Sequence, residues 1–171
     1  MTRAARDHCF PPIARRDAHT LILGSLPGRK SLEMQQYYAH PQNAFWKIIA
    51  ALLELAPDAP YAARTAALRA NGIALWDVMK TCTRASSLDS DVVESSIVAN
   101  DFRSFLRRHP HVTTICFNGA KAEQSFVRYA LPALGAFGDL AYFRLPSTSP
   151  AHASLSAAKK LAAWRAVLEA R

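Results

Sequence analysis

Short apolar runs alternate with longer stretches of helical periodicity along this chain. Residues 19–24 (HTLILG) form an apolar run that ends on a glycine, the pattern of a buried strand closing in a turn. Residues 73–78 (IALWDV), 112–117 (VTTICF) and 141–145 (AYFRL) read as three more strands. Between them lie helical patterns. From Asn43 onward, NAFWKIIAALLEL sets Phe45, Trp46, Ile49, Leu52 and Leu53 on one face. Asn43, or His40 ahead of Pro41, is placed to cap that helix. A second helix covers Tyr61–Ala70 and stops at Asn71-Gly72. Shorter ones follow at 100–108, with Asp101 in the first turn, and at 120–130, after Asn118-Gly119. A last helix ends near Ala170. Residues 25–42 and 79–96 read as long loops, the second rich in Ser and Thr.

Strands that alternate with helices predict an α/β fold with a parallel sheet covered on both faces. Ligands in such folds sit beyond the carboxyl ends of the strands. Three unusual segments fall there: 24–43, 77–96 and 146–152. Their convergence from distant parts of the chain argues for a site.

The 171 residues suit one core, read as a single domain over 19–171 behind a basic, partly flexible arm at 1–18. Half of the residues are hydrophobic and a fifth charged, which excludes a disordered chain. The formal charge of +8 points to a polyanionic partner. No apolar stretch is long enough to span a membrane, and the first residues lack the apolar run of a signal peptide. Cys9, Cys82 and Cys116 are scattered without a CxxC pair, so no metal or cofactor is expected, and reduced thiols fit a cytoplasmic protein.

The first segment, GSLPGRKSLEMQQYYAHPQNAFW, carries most of the candidate chemistry. Gly24, Pro27 and Gly28 allow backbone to approach a ligand closely. Ser25, Arg29, Lys30 and Ser31 suit phosphate, Tyr37 and Tyr38 suit stacking on a base, and Asn43 offers an amide. A loop packed by its own aromatics, with Asn43 as a cap, is the plainer alternative.

This segment resembles the first motif of the uracil-DNA glycosylase superfamily. It is most similar to the hypoxanthine-DNA glycosylase family, and similar also to the mismatch-specific uracil-DNA glycosylases. Both share a Gly-x-x-Pro-Gly turn (Gly24, Pro27, Gly28) and an aromatic-Ala-His-Pro-x-Asn-x-Phe-Trp run (Tyr38 to Trp46). The likeness continues through Gly72 to Val78, Ser87 to Asp91, Phe117-Asn-Gly119 and Leu145 to Pro150. It implies a three-layer α/β/α sandwich around a four-stranded parallel sheet. It also implies a monofunctional enzyme, acting as a monomer, that removes a deaminated base from DNA. One departure matters: Leu26 stands where the mismatch-specific enzymes keep a catalytic Asn, which moves the water-positioning duty to Asn43. Asp77 resembles the base-reading residue and could instead orient water or cap a turn. Ser25, Leu26, Tyr37 and Tyr38 complete the base site. Ser147, Thr148, Ser149 and His152 resemble the loop that grips phosphates and enters the duplex, with Ser31 and His40 nearby. Leu26 favours hypoxanthine over uracil as the substrate. Uracil on the same fold, a DNA-binding module without catalysis, and a phosphate-binding metabolic enzyme are the alternatives.

Overall fold

The computed structural model describes residues 5–170. Its centre is a four-stranded parallel sheet of β2 (Thr20–Gly24), β3 (Ile73–Asp77), β6 (Thr114–Asn118) and β7 (Ala141–Leu145) in the order β3-β2-β6-β7. The chain leaves β2 toward β3 on one side, then crosses back to β6 on the other. The carboxyl ends of β2 and β6 therefore flank the point where the winding reverses, the natural crevice of an open parallel sheet.

Side chains alternate across each strand and feed two cores. Leu21, Leu23, Ile115 and Phe117 face α4 (Phe102–Arg108), α5 (Ala120–Ser125) and a π-helical segment over Phe126–Ala130 that leads into α6 (Leu131–Leu134). Ile22, Leu75, Cys116 and Leu145 face α2 (Phe45–Leu52), α3 (Tyr61–Ala70) and α7 (Ala157–Leu168), where Phe45, Ile49, Leu68 and Trp164 are fully enclosed. The result is the expected three-layer sandwich.

Four features depart from the sequence reading. Residues 79–96 are not simply a loop: β4 (Met79–Thr83) pairs antiparallel with β1 (Arg6–His8) and β5 (Val98–Ala99), making a second, three-stranded sheet. The described part of the expected flexible arm is built into the fold. Besides β1, Ile13 bridges Leu75, and Ala18 is buried. Residues 1–4 lie outside the described residues. The long loop after β2 also contains a short helix, α1 (Arg29–Met34), which ends on Gln35 in a left-handed conformation. Asp101 is the cap of α4 rather than part of its first turn, its side chain accepting from Ser104 N–H at 3.0 Å. Among the described residues no helix is long and apolar enough to cross a membrane.

Candidate active site

A cleft of about 530 Å³ opens beyond the carboxyl ends of β2, β3 and β6, and all three segments flagged in the sequence line it. Its floor is set by Gly24, which pairs with Asp77 across β2 and β3. A Cβ at Gly24 would lie 2.6 Å from Asp77 Oδ1 and 2.7 Å from the Tyr38 hydroxyl oxygen, so only glycine leaves those two groups room.

Asp77 is 3% exposed and its Oδ2 has no hydrogen-bond partner. Burial pushes its carboxyl up to about 7. The nearby Asp89 pushes the same way and Arg84 opposes. Its backbone carbonyl is held by Asn100 Nδ2 at 2.8 Å. Tyr38 adopts a left-handed conformation (φ 52°), costly for a bulky residue. That twist lays its ring on Phe45, centroids 4.1 Å apart, and its buried hydroxyl comes near Asn118 and Asp77 without a hydrogen bond of normal geometry. The hydroxyl is raised above its usual range, chiefly by burial.

The expected stacking pair is divided. Tyr37 is 3% exposed, packs edge-on to Phe10, and donates its hydroxyl to the Pro11 carbonyl at 2.9 Å. Its own carbonyl accepts from Trp46 Nε1 at 2.7 Å. Tyr37 is thus a structural member of the wall, and Tyr38 alone keeps a partly open ring at the cleft. Leu26 packs into a small cluster with Met79, Cys82 and Val92 and also borders the cleft. Ser25 donates its hydroxyl to Asp89 Oδ1 at 2.7 Å. The glycine turn is held from behind by Arg84, whose buried guanidinium bonds the Pro27 carbonyl and meets Asp7 Oδ2 at 2.7 Å.

Asn43 stands one residue before the cap of α2, and its Oδ1 accepts from Phe45 N–H at 3.0 Å. The cap and the functional reading therefore coexist, because the side-chain NH₂ and the second lone pair of the carbonyl stay available at the cleft. His40 is exposed, its Nδ1 accepting from Gln42 N–H. Ser31 is buried and accepts from Ala39 N–H at 3.1 Å, which ties α1 to the aromatic run.

In the loop after β7, Thr148 is 1% exposed and clasped by Asn118. Asn118 Nδ2 donates to Thr148 Oγ1 at 2.9 Å, and Thr148 N–H donates to Asn118 Oδ1 at 2.9 Å. The Thr148 carbonyl then accepts from Ala44 N–H at 3.0 Å. Thr148 is accordingly a brace, not a free phosphate donor. Ser147 and Ser149 are half-buried and accept from local backbone N–H groups, so their hydroxyl protons remain to be donated. The His152 carbonyl is pinned by Lys160 Nζ at 2.6 Å from α7.

Asn118, Arg84 and Asp89 escaped the sequence reading as site residues. Asn118 carried one signal, its place at the end of a strand before Gly119. There φ is 93°, and a Cβ would meet Ser147 Cβ at 2.9 Å. Among the described residues, no group of three or more His, Cys, Asp or Glu could hold a metal ion.

Comparison with known proteins agrees with this arrangement. Two proteins named hypoxanthine DNA glycosylase, from Methanosarcina acetivorans and Methanosarcina barkeri, are 40% and 37% identical to this chain over 114 residues, covering 66% of it and 71% of each relative. The solution NMR structure of a candidate uracil DNA glycosylase from Methanosarcina acetivorans superposes with a TM-score of 0.79 at 32% identity. That match covers 97% of this chain and 98% of the other. The model of the uracil DNA glycosylase superfamily matches residues 11–169. With sheet order, cleft and sequence in agreement over nearly its whole length, the chain belongs to the uracil DNA glycosylase superfamily.

Proposed function

We propose that this protein is a monofunctional DNA N-glycosylase that hydrolyses the bond between a deaminated base and its sugar, with hypoxanthine as the favoured base. The observation that carries the reading is the convergence of Tyr38, Asp77 and Asn43 on one cleft at the reversal point of the sheet. Its naming relatives, both called hypoxanthine DNA glycosylases, support the base.

The target nucleotide leaves the stack at a cost of a few kcal/mol, least where pairing is already poor, so deamination mispairs favour their own selection. The open face of Tyr38 stacks on the extruded base. Asp77 and the backbone at Ser25–Leu26 meet its polar edge. Ser147 and Ser149 donate to phosphates, with His40 and His152 at the rim and Thr148 and Ser31 holding the loops in register. As the bond breaks, positive charge grows on the sugar and negative charge on the base, and the surrounding DNA phosphates stabilise the former. Asn43 holds the water that captures the sugar. An amide is no base, so it acts by position. The protein works as a monomer, in the cytoplasm, and its +8 charge draws it to DNA.

Oligonucleotides carrying one deaminated base each, treated with protein and then alkali, test this directly. Breaks at deoxyinosine are expected, and breaks at no lesion would overturn the reading. Breaks at deoxyuridine alone would replace hypoxanthine by uracil, the base in the superfamily's own name.

A further inference from the structure

Three buried side-chain atoms among the described residues have no hydrogen-bond partner: Tyr38 Oη, Asp77 Oδ2 and Ser125 Oγ. Two of the three belong to the side chains that crowd Gly24, where the point a Cβ would occupy lies 2.7 Å from Tyr38 Oη and 2.6 Å from Oδ1, the other carboxyl oxygen of Asp77. Leaving a buried polar group unpaired costs about 1–3 kcal/mol, so two at one spot in a cleft wall mark a place kept for an outside partner. Given the proposed function, that partner is the extruded base. We propose that Asp77 is the acid of the reaction, passing its carboxyl proton to a ring nitrogen of the departing purine while the Tyr38 hydroxyl donates to the same edge.

The groups around Asp77 fit an acid better than a permanent anion. Tyr38 and Tyr37, from the aromatic run, and Cys9, near β1, bring no positive charge. Asp89, across the glycine turn, is a like charge. Among the described residues Arg84 is the cation that acts on Asp77, and it is already committed to Asp7 and to the Pro27 carbonyl. Burial, opposed by Arg84 and helped by Asp89, raises the carboxyl to about 7, so a large share of Asp77 carries its proton at neutral pH and more does in mild acid. An ionised Asp77 would repel the negative charge that grows on the base, whereas the protonated form removes it. Asp89 is a poorer candidate because its Oδ1 already accepts from Ser25.

The step balances without a co-reactant. The bond from the sugar carbon to the purine breaks and its electron pair goes to the base. The Asp77 proton goes to a basic ring nitrogen, and the base leaves neutral. Water held by Asn43 bonds to the sugar carbon and releases its extra proton to solvent, from which Asp77 is recharged.

Single-turnover cleavage of a deoxyinosine duplex from about pH 5 to pH 9 tests this, with thermal melting at each pH to confirm the fold. For the wild type, the rate should be level in acid and fall about tenfold per pH unit above the Asp77 midpoint. Asp77→Asn should lose about 100-fold or more and lose that slope, yet bind a non-cleavable 2′-fluoro deoxyinosine duplex about as well. Tyr38→Phe, which keeps the ring, should lower the rate and keep the slope. A wild-type rate that stays level or rises through this range would overturn the proposal. So would Asp77→Asn losing less than about tenfold, or losing rate while keeping the slope. These results concern the acid alone; an inert wild type at every pH would instead remove the glycosylase reading on which it rests.

Discussion

Replacing Asn118 by alanine should loosen the loop that follows β7 by severing both bonds of its clasp on Thr148. The magnitude follows from burial. Thr148 is 1% exposed, so its N–H and hydroxyl cannot turn to water without the loop moving. A stranded buried group costs about 1–3 kcal/mol, and two give a loss of about 2–4 kcal/mol once partial relaxation is allowed. Against a typical stability of about 5–15 kcal/mol this is a large share. In urea, with a slope of about 1–3 kcal/mol per molar, the midpoint should fall by about 1–2 M at unchanged slope. Thr148→Ser keeps both partners and should shift it little. Cleavage should fall too, because the Thr148 carbonyl receives Ala44 N–H one residue from Asn43. A loss of under about 0.5 kcal/mol for Asn118→Ala would refute the clasp as a brace.

Variants at three other residues probe separate parts of the site. Asp77 has a folded-state carboxyl raised to about 7 from 3.8, so the native state holds the extra proton between those values. Stability should therefore decline as pH rises from about 4 to 7, by up to about 4 kcal/mol, and Asp77→Asn should raise the melting temperature at pH 8 more than at pH 4. Arg84→Ala leaves Asp7 and the Pro27 carbonyl without their partner, and a broken buried pair costs about 3–5 kcal/mol by chemical denaturation. Arg84→Lys should recover little of it, since one ammonium lacks the fork that spans both acceptors. Asn43→Asp retains the oxygen that accepts from Phe45 N–H, whereas Asn43→Ala should lose about 1 kcal/mol of capping. Both should lose cleavage, and an Asn43→Ala protein cutting at the wild-type rate would end its role with water.

The parallel sheet was legible because β2, β3 and β6 are buried on both faces, and a run such as LILG or IALW reads as a strand at that length. The β1-β4-β5 sheet was not. Its strands are short and partly charged (RDH, MKTCT, VA), and Arg6 pairs with Thr83, a partner that no local pattern announces. The first segment was legible as a site through its glycines, aromatics and Asn43. The separate fates of Tyr37 and Tyr38 were hidden, because they depend on one positive φ that turns adjacent rings in different directions. Thr148 and Asn118 were misjudged or passed over for a related reason. A hydroxyl that grips phosphate and one that grips a distant amide are spelled the same way, and only the fold decides between them.

The strand β1 has a practical consequence. Asp7 lies on a strand of the small second sheet, yet through Arg84 it helps hold the Pro27 carbonyl in the turn beneath the cleft. A cleavage or an insertion within β1 is therefore not neutral. It acts on the cleft from behind, and a preparation with β1 frayed would pass as folded by its helices while cutting poorly.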